Sequence, residues 1–488
     1  MVRSRLVVVV VALGVVGQLG LGGTAAQAAT SAAPYDFDGD GQPDLVAGAP
    51  LLDVAGHHGA GAVAVLAPSA RAVPRHASVF TQSTRRVVGS SSNGDHFGSA
   101  VVSADLDGDG YADLAVGHPD ERVAGAAGAG AVTILYGSAR GLTGRRSVEV
   151  TEPGGAHAGA RFGAALATID LNRDGHPDLA VGAPGDAGES TGTDQGSGSV
   201  TVLLGGASGV TTDGSVSLHG PVVRDQPLDV GFGTAFAVAD LDGRAGPDLV
   251  VLSSGSISYC TTGTTTSIGC ARVVELPVSA TQIVVGKFFD LDERPEASGP
   301  QVVVGSPDQS TVTFLQIARS QKRPVYVSTG SVIEADGLGL PAAPGVPERF
   351  GASLAAGDVN GDGHDDLVVG APGGGVGGRA AGRVYVIAGS DRTFDPSRMA
   401  AYDEDTPGVP GRAGDGDQFG ASVALVDRNR DGKADLIIGS PGEDHGRGRV
   451  TVLRGTGTGF TTVDAGAFGL TTYGDRQRPT GFGSVLAG

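Results

Sequence analysis

Five times along the chain, oxygen-bearing side chains occupy positions 1, 3, 5 and 9 of a nine-residue run, with glycine at position 6. The first copy carries Asp36, Asp38, Asp40, Gln42 and Asp44 at positions 1, 3, 5, 7 and 9. The second carries Asp105, Asp107, Asp109, Tyr111 and Asp113, and the third Asp170, Asn172, Asp174, His176 and Asp178. The last two carry Asp358, Asn360, Asp362, His364 and Asp366, then Asp427, Asn429, Asp431, Lys433 and Asp435. Alternate carboxylates turn towards one centre, and the glycine permits the sharp turn that brings position 9 back. Position 7 varies freely, as expected where coordination uses its backbone carbonyl. An all-oxygen, carboxylate-rich, flexible set favours Ca²⁺ over transition metals and over the stricter octahedron of Mg²⁺. About five bound Ca²⁺ ions are therefore expected.

Two other kinds of loop share part of this pattern. An EF-hand needs a bidentate Glu at position 12 and flanking helices. Position 12 is Ala47, Val116, Val181, Val369 or Ile438, inside a strand-like run, which excludes it. The other is a set of metal-free Asp-Gly turns, which the fivefold repetition of the ligand pattern disfavours. Two worn copies begin at Asp240 and Asp290. In the first, Arg244 takes position 5, where a guanidinium would replace the ion or simply mark decay of the loop. The second keeps only Asp290 and Asp292, and no ion is expected there.

The loops belong to a longer repeat. Their seven starts lie 69, 65, 70, 50, 68 and 69 residues apart. Phe97, Phe162, Phe232, Phe350 and Phe419 each precede a glycine and stand eight residues before a loop's first Asp. After each good loop comes an apolar run that ends at Gly-Ala-Pro or a close variant. A Gly-rich connection and a further β-branched run follow, as at Ala131 to Gly137 or Arg383 to Gly389. Such short runs bounded by turn residues read as buried strands, and segments such as Ser147 to Thr151 supply a fourth, outer strand. Helical periodicity is nearly absent.

Seven such units predict an all-β fold, a seven-bladed β-propeller, over an open solenoid with two exposed sheet ends. The first unit has a loop but no preceding Phe-Gly. Gly481 to Gly488 contain Phe482-Gly483 but no following loop. Joining Gly488 to Tyr35 would restore the eight-residue spacing, so the ring is expected to close by pairing of the N- and C-terminal segments. One domain, 29–488, is expected, its first blade shared between residues 35–80 and 481–488.

Phe-Gly, the D-x-D/N-x-D-G-x-x-D loop and Gly-Ala-Pro, for instance Gly370-Ala371-Pro372, together resemble the FG-GAP repeats of the integrin α-subunit N-terminal propeller. The resemblance implies Ca²⁺ in the five intact loops, all on one face. Departures are Gly117-His118-Pro119, Gly305-Ser306-Pro307 and Gly439-Ser440-Pro441, the loss of Gly-Ala-Pro in the fourth unit, and Gln282-Ile283 where the fifth should have Phe-Gly.

Residues 1–28 have the layout of a signal peptide: Arg3 and Arg5, an apolar run, then a small-x-small site at Ala26-Gln27-Ala28. A membrane anchor is the alternative, weakened by glycines in the run. A secreted, extracellular protein is expected, with no membrane insertion after cleavage. Cys260 and Cys270 are then read as a disulfide, a local staple stabilising by up to about 3 kcal/mol. The net charge of −19 argues against nucleic acid as a partner.

No G-x-S-x-G, H-E-x-x-H or Arg-Gly-Asp occurs, and no catalytic residue is assigned. His57-His58 and Arg85-Arg86 read as solvated surface. Strand alternation puts residues 81–96, 185–198, 219–231, 255–270, 334–349 and 403–418 on the face opposite the acidic loops, as long and varied connections suited to recognition. The expected function is a monomeric Ca²⁺-binding adhesion module with an unknown protein or glycan ligand. The alternative is a polysaccharide-active propeller, lyase or lectin. Against it stands the absence of Trp, the best sugar-stacking side chain, with aromatics only 5%.

Overall fold

The computed structural model describes residues 32–69, 72–74, 76–186, 198–220, 231–241, 246–262, 268–276, 280–289, 300–318, 326–335, 346–390, 399–429, 431–473 and 479–488. The expected signal peptide lies outside them. Among the described residues, seven four-stranded antiparallel sheets follow one another as blades. Blade 2 is typical, with strands Ala100–Ala104, Asp113–His118, Ala131–Leu135 and Val148–Thr151 running outward in chain order. The innermost strands neighbour one another all the way round. The fold is a closed seven-bladed propeller.

Burial explains the sequence pattern. Second strands such as Asp178–Ala183 and Leu45–Ala49 are covered on both faces by neighbouring blades, and every residue in them is buried. That is why they read as continuous apolar runs rather than alternating ones. Outer strands, such as Thr211–His219, are largely exposed. The core accordingly lies between blades: Val46 and Val63 of blade 1 pack with Phe97, Leu114 and Val116 of blade 2.

The two motifs meet at these seams. Phe97 is fully buried, and its N–H donates to Ala60 O of the preceding blade at 2.9 Å. Gly98, at φ +92°, donates its own N–H to Gly117 O in its own blade. Gly48, the glycine of Gly-Ala-Pro in blade 1, faces the carbonyl of Gly98, and a Cβ there would sit 2.4 Å from that oxygen. The same approach recurs at Gly117 and Gly163, Gly182 and Gly233, Gly305 and Gly351, Gly370 and Gly420, and Gly439 and Gly483, at 2.0–2.1 Å. Real side chains cannot occupy such gaps.

The seam between blades 4 and 5 differs. Leu252 stands where the glycine should be and is buried with Ile283, Val302 and Val304. Pairing of Gln282 with Gly305, as Ala100 pairs with Gly117, puts the fifth unit's missing glycine at buried Ala280 and not at Ile283. A second correction concerns residues 255–270, expected as a recognition loop. Ser256–Thr262 and Ile268–Glu275 are instead the third and fourth strands of blade 4. Cys260 opposes Cys270 across this pair, and the two form a disulfide with Cα atoms 4.1 Å apart.

Closure follows the expected route. Val485–Ala487 is the innermost strand of blade 1, pairing Val46 with Ala487, Ala47 with Leu486 and Gly48 with Val485. Phe482, fully buried, packs with Phe468 and Val450 of blade 7. Its replacement by Ala is expected to cost about 3–5 kcal/mol, the usual loss for a buried aromatic. Val463→Ala, on a side chain 70% exposed, should change stability by under about 0.5 kcal/mol. Denaturant midpoints of both variants check this; equal effects would mean the seam at Phe482 does not hold the ring.

Candidate metal centre

Four of the acidic loops join the first and second strands of their blades, and that of blade 1 leads into its second strand, Leu45–Ala49. All five therefore lie at the same end of the second strand and on one face. The five are wound identically by their own backbone. At position 1, Oδ2 of Asp36, Asp105, Asp170, Asp358 and Asp427 accepts the N–H of the position-6 glycine at 2.9–3.1 Å. The position-3 side chain, Asp38, Asp107, Asn172, Asn360 or Asn429, accepts the position-5 N–H at 2.8–3.3 Å. The position-5 Asp, at 40, 109, 174, 362 and 431, accepts the position-7 N–H at 2.7–3.1 Å. These bonds hold one oxygen of each side chain and turn the acids towards a common centre. Glycine at position 6 is required, as at Gly41 with φ +76°.

Two observations fit a cation. Oxygens of Asp36, Asp38 and Asp40 lie within 4.8 Å of one another, as do those of Asp105, Asp107 and Asp113. Oδ1 of Asp36 and of Asp427 is buried with no hydrogen-bond partner. A buried carboxylate oxygen without a donor is costly unless a positive charge faces it. Two position-7 side chains turn away, Tyr111 packing over Gly39 of the preceding loop and His176 over Gly108, and Gln42 Nε2 donates to Asp40 Oδ2 at 3.4 Å, leaving the backbone carbonyl at that position as the available ligand.

Position 9 has a second task that its spacing did not reveal. Asp113 Oδ2 accepts Leu106 N–H and its Oδ1 accepts Gly137 N–H, both at 2.9 Å. Asp178, with Leu171 and Gly205, and Asp366, with Val359 and Gly389, repeat this at 2.9–3.1 Å. Asp435 does so towards Gly455. The carboxylate thus ties the loop to the end of the third strand. In the worn fourth loop, Asp248 still accepts Leu241 N–H at 2.9 Å. In the fifth, Gln301 takes the station, its Oε1 accepting Phe288 and Phe289 N–H. The bond to the start of the loop therefore persists where the acidic pattern is lost. Asp242, Arg244, Asp290 and Asp292 lie outside the described residues.

Burial dominates the electrostatics of these anchors. It pushes Asp44 up to about 7, with the charges of Asp38, Asp40 and Asp36 adding to it against the Phe37 amide. Asp113 is likewise pushed up to about 7, with Asp107 and Asp105 contributing, and Asp366 to about 6. One loop carries a protein cation: Arg146 Nη2 lies 2.9 Å from Asp107 Oδ2, its guanidinium 5.0 Å from the Tyr136 ring centroid. Nothing in the spacing of Arg146, 39 residues on, pointed to that pairing.

Comparisons with known proteins agree with this architecture. The family model for the FG-GAP repeat matches residues 28–66, 97–135, 162–203, 350–387 and 419–453, the five units with intact loops. Human phosphatidylinositol-glycan-specific phospholipase D is 37% identical over 165 residues, 32% of this chain and 18% of that protein. Integrin alpha-PS2 of Drosophila melanogaster is 32% identical over 223 residues, 44% of this chain and 14% of the integrin. Mouse integrin alpha-IIb is 35% identical over 161 residues, again 14% of its length. The chain thus spans less than a fifth of these relatives. A solved structure of an Agrocybe aegerita lectin that recognises non-reducing terminal N-acetylglucosamine superposes with a TM-score of 0.51 at 14% identity, covering 91% of this chain and 94% of the lectin, and shares the fold. Among the described residues no helix is long and apolar enough to cross a membrane. With its Phe-Gly and Gly-Ala-Pro glycines meeting at the seams and five acidic loops on one face, the chain is an FG-GAP repeat protein whose seven-bladed propeller resembles that of integrin α subunits.

Proposed function

We propose that this is an exported, Ca²⁺-stabilised binding or adhesion module that recognises a protein or glycan through the face opposite its acidic loops. Residues 1–28 act as the export signal. Each intact loop holds one Ca²⁺ through the side chains at positions 1, 3, 5 and 9 and the backbone carbonyl at position 7. The observation carrying this reading is the contrast between faces. Five loops with one hydrogen-bonding scheme occupy one face, which suits a structural task. The connections on the other face differ in length and composition, from the two residues 254–255 to the long link 81–99. Similarity to integrin α subunits over part of their length supports adhesion in particular.

A ligand that binds only the folded chain stabilises it by mass action. Stripping the metal should therefore lower Tm substantially, and excess Ca²⁺ should restore it; unchanged melting after verified removal would overturn Ca²⁺ as a stabiliser. For the partner, a glycan array probed with and without Ca²⁺, followed by product analysis on any hit, separates the options. Binding without turnover supports a glycan-recognising module and silence a protein partner. Turnover would replace this reading with the polysaccharide-active one.

The raised carboxyls give a pH signature. Without metal, Asp44 and Asp113 keep their protons to about 7, whereas an unfolded aspartate releases its proton near about 3.9. The folded chain then binds more protons than the unfolded one, so this stability is fully present below about pH 4 and lost as pH rises towards about 7. Melting of metal-stripped protein should fall across that interval, and in saturating Ca²⁺ it should not. A metal-stripped Tm that climbs from pH 4 to 7 would show that the anchors ionise freely.

A further inference from the structure

The face opposite the acidic loops carries acids of its own, at repeated stations on the blade seams. One station follows the outer strand: Gln82, Glu152 and Glu404. A second stands two residues before the seam phenylalanine: Asp95 and Asp417. A third stands two residues after the proline of Gly-x-Pro: Glu121, Asp186 and Glu443. At the seam of blades 1 and 2 the group is balanced within the protein. Gln82 Nε2 donates to Glu121 Oε2 at 2.8 Å. His118, buried, lies 3.3 Å from the same oxygen through Nδ1 and 3.0 Å from Thr133 Oγ1 through Nε2. At the seam of blades 2 and 3, His157 Nδ1 lies 3.0 Å from Asp186 Oδ1, and Ser199 Oγ donates to Glu152 Oε1 at 3.1 Å.

The seam of blades 6 and 7 lacks these partners. Glu404 replaces the Gln82 amide, and Ser440 replaces the His118 imidazole: each follows the seam glycine, Gly439 or Gly117. Thr451 holds the station of Thr133, paired with Ile438 as Thr133 is with Val116. Oxygens of Glu404, Asp417 and Glu443, all three buried, lie within 4.8 Å of one another. The Glu404 side chain is fully buried, and neither of its carboxylate oxygens has a hydrogen-bond partner. Glu443 Oε2, Ser440 Oγ and Thr451 Oγ1 are also buried without partners. The nearby cation is Arg449, 2.9 Å from Glu443 Oε1 but 3.7 Å from Glu404 Oε1. Asp417 Oδ2 accepts Gly414 N–H at 2.6 Å, and one guanidinium, itself bonded to Glu443, leaves the Glu404 carboxylate unsatisfied.

We propose that Glu404, Asp417 and Glu443 form a further cation site, on the face opposite the acidic loops, that binds one Ca²⁺ between blades 6 and 7. Oxygens sharing one Ca²⁺ at about 2.3–2.6 Å stand at most about 5 Å apart, which the observed spacing meets. Carboxylates alone select a hard divalent cation over one that prefers nitrogen or sulfur. The ion would face the oxygens that the His118 imidazole and the Gln82 amide face at the first seam. Two of its ligands come from the inter-blade connection and one from blade 7, so the ion would pin a loop of the variable face to its neighbour.

The test is Ca²⁺ bound per chain, measured by equilibrium dialysis on the full protein and on Glu404→Gln. The substitution reproduces the side chain that the chain itself carries at residue 82, and melting of both proteins in EDTA controls for folding. The variant should bind one equivalent fewer and melt no lower without metal. An unchanged stoichiometry overturns the site and means that the acids are balanced by Arg449 and shared protons. The difference between the two proteins reads only the seam, whereas the equivalents common to both read the acidic loops, so either can fail alone. As a second measurement, a crystal of the unmutated protein soaked in Ca²⁺ should show an anomalous peak between the three carboxylates; its absence overturns the site even if the variant misfolds.

Discussion

The structure depends on backbone meeting backbone at the blade seams. At six of the seven, the glycine of Gly-Ala-Pro or its variant lies so close to the carbonyl of the next blade's Phe-Gly glycine that no Cβ fits between. This approach seats the phenylalanine on the preceding blade and sets the distance between sheets. It also explains why two motifs far apart within a repeat travel together: they are the halves of one contact, made between successive repeats. The fourth unit's loss of Gly-Ala-Pro and the fifth unit's loss of Phe-Gly are then one event. At that seam Leu252 and its apolar neighbours fill the gap that a carbonyl occupies elsewhere. Once side chains separate the blades, neither glycine is needed.

The acidic loops hang from this frame rather than building it. Position-9 carboxylates such as Asp113 bond the backbone at the start of the loop and at the end of the third strand, and Asp248 and Gln301 keep the first of these bonds where the other acids are lost. Two layers of function therefore overlap in one motif. Positions 1, 3 and 5 turn oxygens towards a common centre, while position 9 fastens the loop to the third strand. The burial that fastening requires also raises Asp44 and Asp113, and so couples the anchors to protonation.

What could be read from residues alone was what repeats locally. Blade number, the strand runs, the five loops and the closing strand all follow from short patterns at fixed spacing. Local patterns mislead where a unit departs from its neighbours. Residues 255–270 carry no loop motif and were expected to form a loop, yet they pair as two strands cross-linked at Cys260 and Cys270. The shift from Ile283 to Ala280 arose because the worn fifth loop no longer marks the register. Arg428 is a further case: it fills the second loop position, where other blades bury Phe37, Leu106 or Val359, and it too is buried, with Nη1 bonding Ala72 O across the closing seam. Only the structure shows a guanidinium taking an apolar station.

The two faces manage negative charge by different means, and this difference decides what sequence can reveal. On the acidic-loop face the side chains at positions 1, 3 and 5 are oriented by amides within five residues of them, so the motif is visible as a string. On the other face, acids converge from connections and strands of adjacent blades, as Glu404, Asp417 and Glu443 do. No local spacing marks such a group, since its members are 13 and 26 residues apart and belong to a seam rather than a turn. The same stations hold Gln82, Asp95 and Glu121 at the first seam, where an imidazole and an amide complete the balance. Seams of one ring thus share a geometry while differing in how their charge is met. Propellers can vary one face in this way without disturbing the glycine contacts that hold the blades.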